Sequence, residues 1–405
     1  MTHSTAGDAR SPTLAFILML GALGALTPLA IDIYLPAMPM IADSLGAAAG
    51  TIQMTLTAYV TGFAIGQLFY GPISDALGRR PVLMLGLVGF IATSLLCALV
   101  NDAQWLVLVR VLQGLSGAAV SVIIMALVRD LYEREDFART MSFITLVVTL
   151  APLIAPILGG YISVWLGWRA IFWLLMLVAM IIMLVSWWRV PETLAPQNRQ
   201  PLQFRATLKN YSRLLGSPAP MALVFSGALS FSGMFTFLTA GPFVYINLFG
   251  VSVENFGYFF GANIACMMLI TSANGKLVKR LGIHAMLRFA LTLKIIAGFG
   301  LFSAWAFDWG LWGVAPFVTL YIGTISVIGS NSMGIILSDF PNMAGTASSV
   351  TGTLRFGTAA AISALVAALP QAAWPMILVM ALCSWLAAIL YWLSCYLYRY
   401  QKQPS

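Results

Sequence analysis

Gly71-Pro72-Ile73-Ser74-Asp75-Ala76-Leu77-Gly78-Arg79-Arg80-Pro81 divides two long apolar runs, about 51–70 and 82–100. Each run approaches the roughly 20 residues that a helix, rising about 1.5 Å per residue, needs to cross a hydrocarbon core. The segment between them holds two glycines, two prolines, one carboxylate and two arginines. That is the composition of a short turn at a water interface. On its own it reads as a basic turn joining two membrane helices.

The rest of the chain repeats this alternation. Of 405 residues, 60 % are hydrophobic and 8 % charged, against roughly 25 % charged in an ordinary soluble domain. So little charge excludes a disordered chain, a secreted disulfide scaffold and a soluble enzyme. The net charge of +8 is expected to set membrane orientation rather than bind nucleic acid. Cys97, Cys266, Cys383 and Cys395 lie in apolar runs without CxxC spacing, and they read as reduced, small hydrophobic residues. The two histidines, His3 and His284, lie outside the apolar runs. No metal site or bound cofactor is therefore expected, and no Walker phosphate loop is present to drive an ATP-dependent pump. The N-terminus lacks a small-residue cleavage site, so the apolar run from Leu14 is expected to stay as a membrane helix.

Twelve spans can be marked, at about 14–37, 51–70, 82–100, 104–127, 140–163, 169–189, 219–247, 255–275, 285–306, 311–337, 346–369 and 373–397. The expected fold is all-α and integral to the membrane. A proline-rich, basic stretch, 190–217, divides a six-helix half at 1–189 from a second at 218–405. With both termini cytoplasmic, 17 of the 21 basic residues fall in cytoplasmic segments and one, Arg169, falls outside, as the positive-inside rule requires. Gly275-Lys-Leu-Val-Lys279-Arg280-Leu-Gly282 repeats the glycine spacing of Gly71 and Gly78 at an offset of 204. Two related halves joined by a polar linker are a transporter pattern.

The full pattern GPxSDxxGRRP resembles the signature loop of the major facilitator superfamily. Arg110-Val-Leu-Gln113-Gly114-Leu-Ser-Gly117 resembles that family's buried-arginine motif. Ala151-Pro152-Leu-Ile-Ala155-Pro156-Ile-Leu-Gly159-Gly160 is similar to the antiporter motif of drug exporters, with Ala151 and Ala155 where glycine is commoner. Asp32-Ile-Tyr34-Leu-Pro36-Ala-Met-Pro39 resembles the first-helix motif of drug–proton antiporters. Second-half segments such as Ala240-Gly-Pro-Phe-Val-Tyr245, Asp339-Phe-Pro341 and Arg355-Phe-Gly357 extend the likeness to the bicyclomycin/chloramphenicol-resistance branch. The resemblance implies a twelve-helix antiporter in the bacterial inner membrane. It would export small amphipathic drugs (bicyclomycin-, chloramphenicol- or sulfonamide-like) by alternating access, powered by a proton gradient with no cofactor. It would act as a monomer, with drugs, protons and lipid as its partners. Export of a metabolite such as a cysteine-like amino acid is the alternative within transport. A polytopic membrane enzyme is the alternative outside it, and the lack of buried His, Cys or carboxylate clusters argues against that reading.

Four ionisable residues stand at membrane depth: Asp32, Arg110, Lys294 and Arg355. Such groups are costly and default to functional candidates. Asp32 lies about five residues from the outer end of the first span and Arg110 about six from that of the fourth, so both are roughly 8–9 Å deep. Direct or water-mediated interaction between them is expected, with Asp32 as proton carrier. Burial opposes a carboxylate's charge and a nearby guanidinium favours it. The bland alternative is a fixed ion pair that only holds two helices. Arg355 either faces the cavity or serves backbone carbonyls near a kink at Gly352 and Gly357. Lys294 either snorkels or occupies a polar interhelical spot.

The resemblance assigns gating to Gly71, Asp75, Gly78, Arg79 and Arg80, joined by Arg129 and Asp130, through charge contacts across the two halves that stabilise the outward-facing state. It assigns helix packing for exchange to Pro152, Pro156, Gly159 and Gly160. Aromatic and amide residues in the spans are candidates for a broad apolar pocket: Tyr34, Tyr59, Gln113, Phe235, Tyr245, Asn263, Asn331 and Phe356, with Arg355.

Overall fold

The computed structural model describes residues 14–132, 134–199, 212–340 and 344–401, and their regular structure is helical. The first half contains α1 (Leu14–Asp32), a short 3-10 turn (Leu35–Ala37), α2 (Met38–Ser44), α3 (Ala49–Leu77), α4 (Arg79–Leu99), α5 (Ala103–Leu131), α6 (Arg134–Leu166) and α7 (Arg169–Arg189). The second contains α8 (Pro218–Pro242), a π-helical turn (Phe243–Leu248), α9 (Val253–Leu281), α10 (Ile283–Ala306), α11 (Gly310–Gly323), α12 (Ile325–Asp339), α13 (Ala344–Ala368) and α14 (Ala373–Gln401).

Among the described residues, eleven helical stretches are long and apolar enough to cross a membrane. The twelfth span is α3, which has 29 residues but carries Thr51, Gln53, Thr55, Thr57, Thr61 and Gln67. It can be this polar because it packs between α5 of its own half and α13 of the other, where protein replaces lipid. Large apolar side chains on the outer helices face outward instead. Trp165, Trp188 and Trp312 are exposed at helix ends, where indoles favour a membrane–water interface.

Three expected boundaries change. The Gly71–Pro81 segment is not a long turn: α3 continues through Gly71 and Pro72 to Leu77, and α4 starts at Arg79. Only Gly78 turns the chain, at φ 106°, a conformation open to glycine. Gly282, its counterpart 204 residues on, turns α9 into α10 at φ 84°, so the sequence repeat is a repeat of structure. The first span is broken after Asp32. Pro36 and Pro39 have no N–H to return to the carbonyls four residues earlier, so the helix cannot pass through them unchanged. Span ten is two helices meeting at Thr324, whose Oγ1 donates to the Tyr321 carbonyl at 2.8 Å.

The halves meet along two symmetry-related lines, α3 against α13 and α6 against α9. At one end Gln53 Nε2 donates to Gln371 Oε1 at 2.9 Å, and the Tyr161 and Tyr258 hydroxyls lie 3.2 Å apart. That end is sealed. The end carrying Asp75 and Arg79 is not.

Candidate functional site: a cavity between the halves and a capped helix break

A cavity of about 570 Å³ opens between the halves at the basic end of the bundle. Its walls come from α3 (Gln67, Gly71), α5 (Ser121, Met125), α8 (Leu223, Gly227), α12 (Ser332, Met333) and α13 (Ser349, Gly352). Asp75, Arg79 and Arg129 stand at its mouth, and Arg355 and Phe356 line its wall. The sealed end holds a smaller pocket of about 220 Å³. Phe356 packs edge-on against Phe63 of the other half at 4.8 Å, and against Phe231 at 5.1 Å and Phe235 at 6.3 Å.

Of the nine residues expected to form the pocket, only Arg355 and Phe356 line this cavity. Phe235 is buried behind Phe356. Tyr245 is enclosed by Phe237, Phe249, Phe256 and Phe259. Asn263 accepts from Thr319 at 2.6 Å and Asn331 donates to Asn274 at 3.0 Å; both amides fasten α9 to span ten. Tyr34, Tyr59 and Gln113 instead build the nest of Arg110.

That nest is closed. Arg110 is 0 % exposed. Its guanidinium donates to Gln113 Oε1 at 2.7 Å and to the Ala30 carbonyl at 3.3 Å. It lies 4.9 Å from the Tyr34 ring centroid and 4.5 Å from that of Tyr59. Gln113 passes the chain on to Ser94 Oγ at 2.8 Å, which donates to the Phe90 carbonyl at 2.7 Å. Ala30 is in the last turn of α1, where helix carbonyls lack internal partners and a cation is favoured. Arg110 thus caps the broken end of the first span.

The expected direct Asp32–Arg110 contact is not formed. Among the described residues Asp32 has no ion pair and no hydrogen bond, although it is only 4 % exposed. Depth matches but azimuth does not. Arg110 touches residues 30 and 34, which share a face of the chain, whereas residue 32 lies about half a turn around from them.

Lys294 does not snorkel. It is 0 % exposed, its Nζ donates to the Ser230 carbonyl at 3.4 Å and lies 3.7 Å from the Tyr321 ring centroid. The Tyr321 hydroxyl donates to the same carbonyl at 3.2 Å.

The gate residues form one network inside the first half. Arg79 Nη1 pairs with Asp75 Oδ1 at 2.6 Å, and Arg79 Nε with Asp130 Oδ2 at 3.2 Å. Arg129 Nε is 3.9 Å from Asp130. Arg80 Nη2 donates to the Trp187 carbonyl at 2.7 Å. With the mouth open, no hydrogen bond or ion pair carries this network to the second half among the described residues; the expected contacts across the halves belong to the outward-facing state.

Glu192 is a member the sequence reading missed. It accepts from the backbone N–H of Arg79 at 3.0 Å and of Arg80 at 3.3 Å. The signal was available: α4 begins with two arginines against the positive end of its own dipole, and such a start calls for an external carboxylate. The antiporter-motif glycines sit at both contacts of α6. A Cβ on Gly159 would overlap the Ile33 carbonyl, and one on Gly160 would come within 2.9 Å of the Val253 carbonyl in the other half. Pro152 and Pro156 lie within α6.

Two pseudo-symmetric six-helix halves enclosing a cavity open at one end define a membrane transporter of the alternating-access class. The family model described as Major Facilitator Superfamily matches residues 20–364, and the chain belongs to that superfamily. It is 38 % identical over 381 residues to a bicyclomycin resistance protein homolog of Haemophilus influenzae, covering 94 % of this chain and 96 % of the relative. It is 31 % identical to a chloramphenicol resistance protein of Pseudomonas aeruginosa, covering 94 % and 90 %. A crystal structure of a D-xylose-proton symporter superposes with a TM-score of 0.73 at 16 % identity, covering 94 % of this chain and 98 % of that one, a likeness of fold.

Proposed function

We propose that this protein is a proton-coupled drug exporter of the bacterial inner membrane, with both termini in the cytoplasm. The observation that carries the reading is the cavity: of drug size, apolar with scattered hydroxyls, and open at the basic end while the other end is sealed. The relatives named for bicyclomycin and chloramphenicol resistance support small amphipathic drugs as its cargo. The halves, 1–189 and 218–405, would rock as rigid bodies about the α3–α13 and α6–α9 contacts, linked by 190–217. A drug enters from the cytoplasm, the mouth closes and the sealed end opens. The protein acts as a transporter rather than an enzyme, as a monomer, and needs no cofactor.

Asp32 is the proton carrier in this reading. It is the one acidic residue at membrane depth, and it stands at a helix break whose other side is held by Arg110. Each proton entering yields about 2.3 kcal/mol per 100 mV. The Asp75 network latches the outward-facing state: Asp75 lines the same cavity as Gly345 and Thr346 in the first turn of α13, and a helix N-terminus attracts a carboxylate.

The test is reconstitution. Proteoliposomes holding the purified protein should accumulate chloramphenicol against its gradient when a pH gradient of the correct sign is imposed, and should cease when a protonophore collapses it. Accumulation that ignores the pH gradient would sink the coupling.

A further inference from the structure

The charges lining the cavity are unbalanced. Asp75, Arg79, Arg129 and Arg355 are its ionisable wall residues, and the single carboxylate is taken up by Arg79 at 2.6 Å. Among the described residues of the wall, only Arg355 carries charge away from the mouth. It stacks 3.7 Å from the Phe231 ring centroid, and its Nε is buried without a hydrogen-bond partner. Among the described residues it has no ion pair or hydrogen bond at all. The contrast with Arg110 lies in the terminal nitrogens, since the Nε of both residues is buried without a partner. Arg110 is spent on Gln113 and Ala30, so its fork is a structural cap. Arg355 has the same fork and lines the cavity wall without a hydrogen-bond or ion-pair partner among the described residues.

We infer that Arg355 makes this cavity prefer amphipathic anions to their neutral counterparts, binding the ligand's carboxylate or equivalent anionic group while its ring lies against Phe356 and the thioethers of Met125 and Met333. A guanidinium presents parallel donors that match a carboxylate edge, and such charge-assisted bonds are the strong ones where water is scarce. Phe356 and Phe231 fix the apolar side of the subsite, and methionines adapt to varied ring shapes. The inference rests on the export reading for the route by which the ligand leaves, but not for its binding.

A matched pair of fluorescent probes tests it: dansylglycine, an anion, and dansylglycinamide, its neutral twin. Both are titrated against the full-length protein in nanodiscs, with empty nanodiscs subtracted. The wild type should bind the anion at least about tenfold more tightly than the amide, the range of a charged hydrogen bond. Arg355→Gln should remove that preference, and a melting temperature close to that of the wild type shows that the variant is folded. Arg355→Lys should keep part of the preference, as a point charge without the fork. Equal or weaker anion binding by the wild type, no anion binding at all, or a preference that survives Arg355→Gln would each overturn the inference. Proton-driven export of neutral chloramphenicol, measured separately, reports on the export reading: intact export without anion preference removes this inference alone.

Discussion

The guanidinium of Arg110 lies 3.3 Å from the carbonyl oxygen of Ala30, two residues before Asp32 on the same broken helix. One residue therefore closes the end of α1 and fixes the place at which Asp32 stands. A cation in a protein interior without a carboxylate partner survives there because two acceptors and two aromatic faces replace water.

Removing that cap should be costly. Arg110→Met leaves the Ala30 carbonyl and Gln113 Oε1 unsatisfied in a buried site, an effect of about 3 kcal/mol. Arg110→Lys should recover only part, because one ammonium cannot reproduce the fork. Thermal unfolding in detergent, followed by fluorescence-detected gel filtration, should rank wild type above Lys above Met.

Gly159 should tolerate no side chain. A Cβ there meets the Ile33 carbonyl, which is backbone and cannot swing aside. Gly159→Ala should lower stability by about 1–3 kcal/mol and reduce transport, whereas Gly275→Ala, whose Cβ meets nothing within 4 Å, should be neutral. Melting temperature and drug tolerance of cells expressing each variant decide it.

Glu192 should matter through α4. Glu192→Gln keeps the acceptor but loses the charge facing the helix dipole, and Glu192→Ala loses both. The Ala variant should cost about 1 kcal/mol and the Gln variant about half of that. Equal melting temperatures for all three proteins would remove Glu192 from the network.

The sealed end should be lockable. Gln53 and Gln371 touch across the halves at 2.9 Å, so Gln53→Cys with Gln371→Cys, in a background lacking the four native cysteines, should be joined by a short bifunctional thiol reagent. Joined protein should hold the basic end open and stop transport, and a cleavable linker should restore it on reduction. Undiminished transport by fully joined protein would contradict alternating access.

The spans and their repeat were legible because burial in lipid leaves a plain signal: long apolar runs, with charge pushed to their ends. Even α3, the most polar span, was marked by its length between turns. Azimuth was not legible. Asp32 and Arg110 share a depth, yet the break at Pro36 and the half turn between residues 30 and 32 decide that they do not touch. Nor was the cavity wall legible from large aromatic and amide residues, since Tyr245, Asn263 and Asn331 are used between helices. The better signal was the small polar face of α13, Ser348, Ser349, Gly352 and Arg355 at helical spacing.

Asp32 carries the central claim. Proteoliposomes containing wild type or Asp32→Asn are compared in two modes: accumulation driven by an imposed pH gradient, and exchange of labelled for unlabelled drug without a gradient. The account predicts that Asp32→Asn loses driven accumulation and keeps exchange, since the cavity lies apart from residue 32. Driven accumulation at the wild-type rate by Asp32→Asn would contradict it.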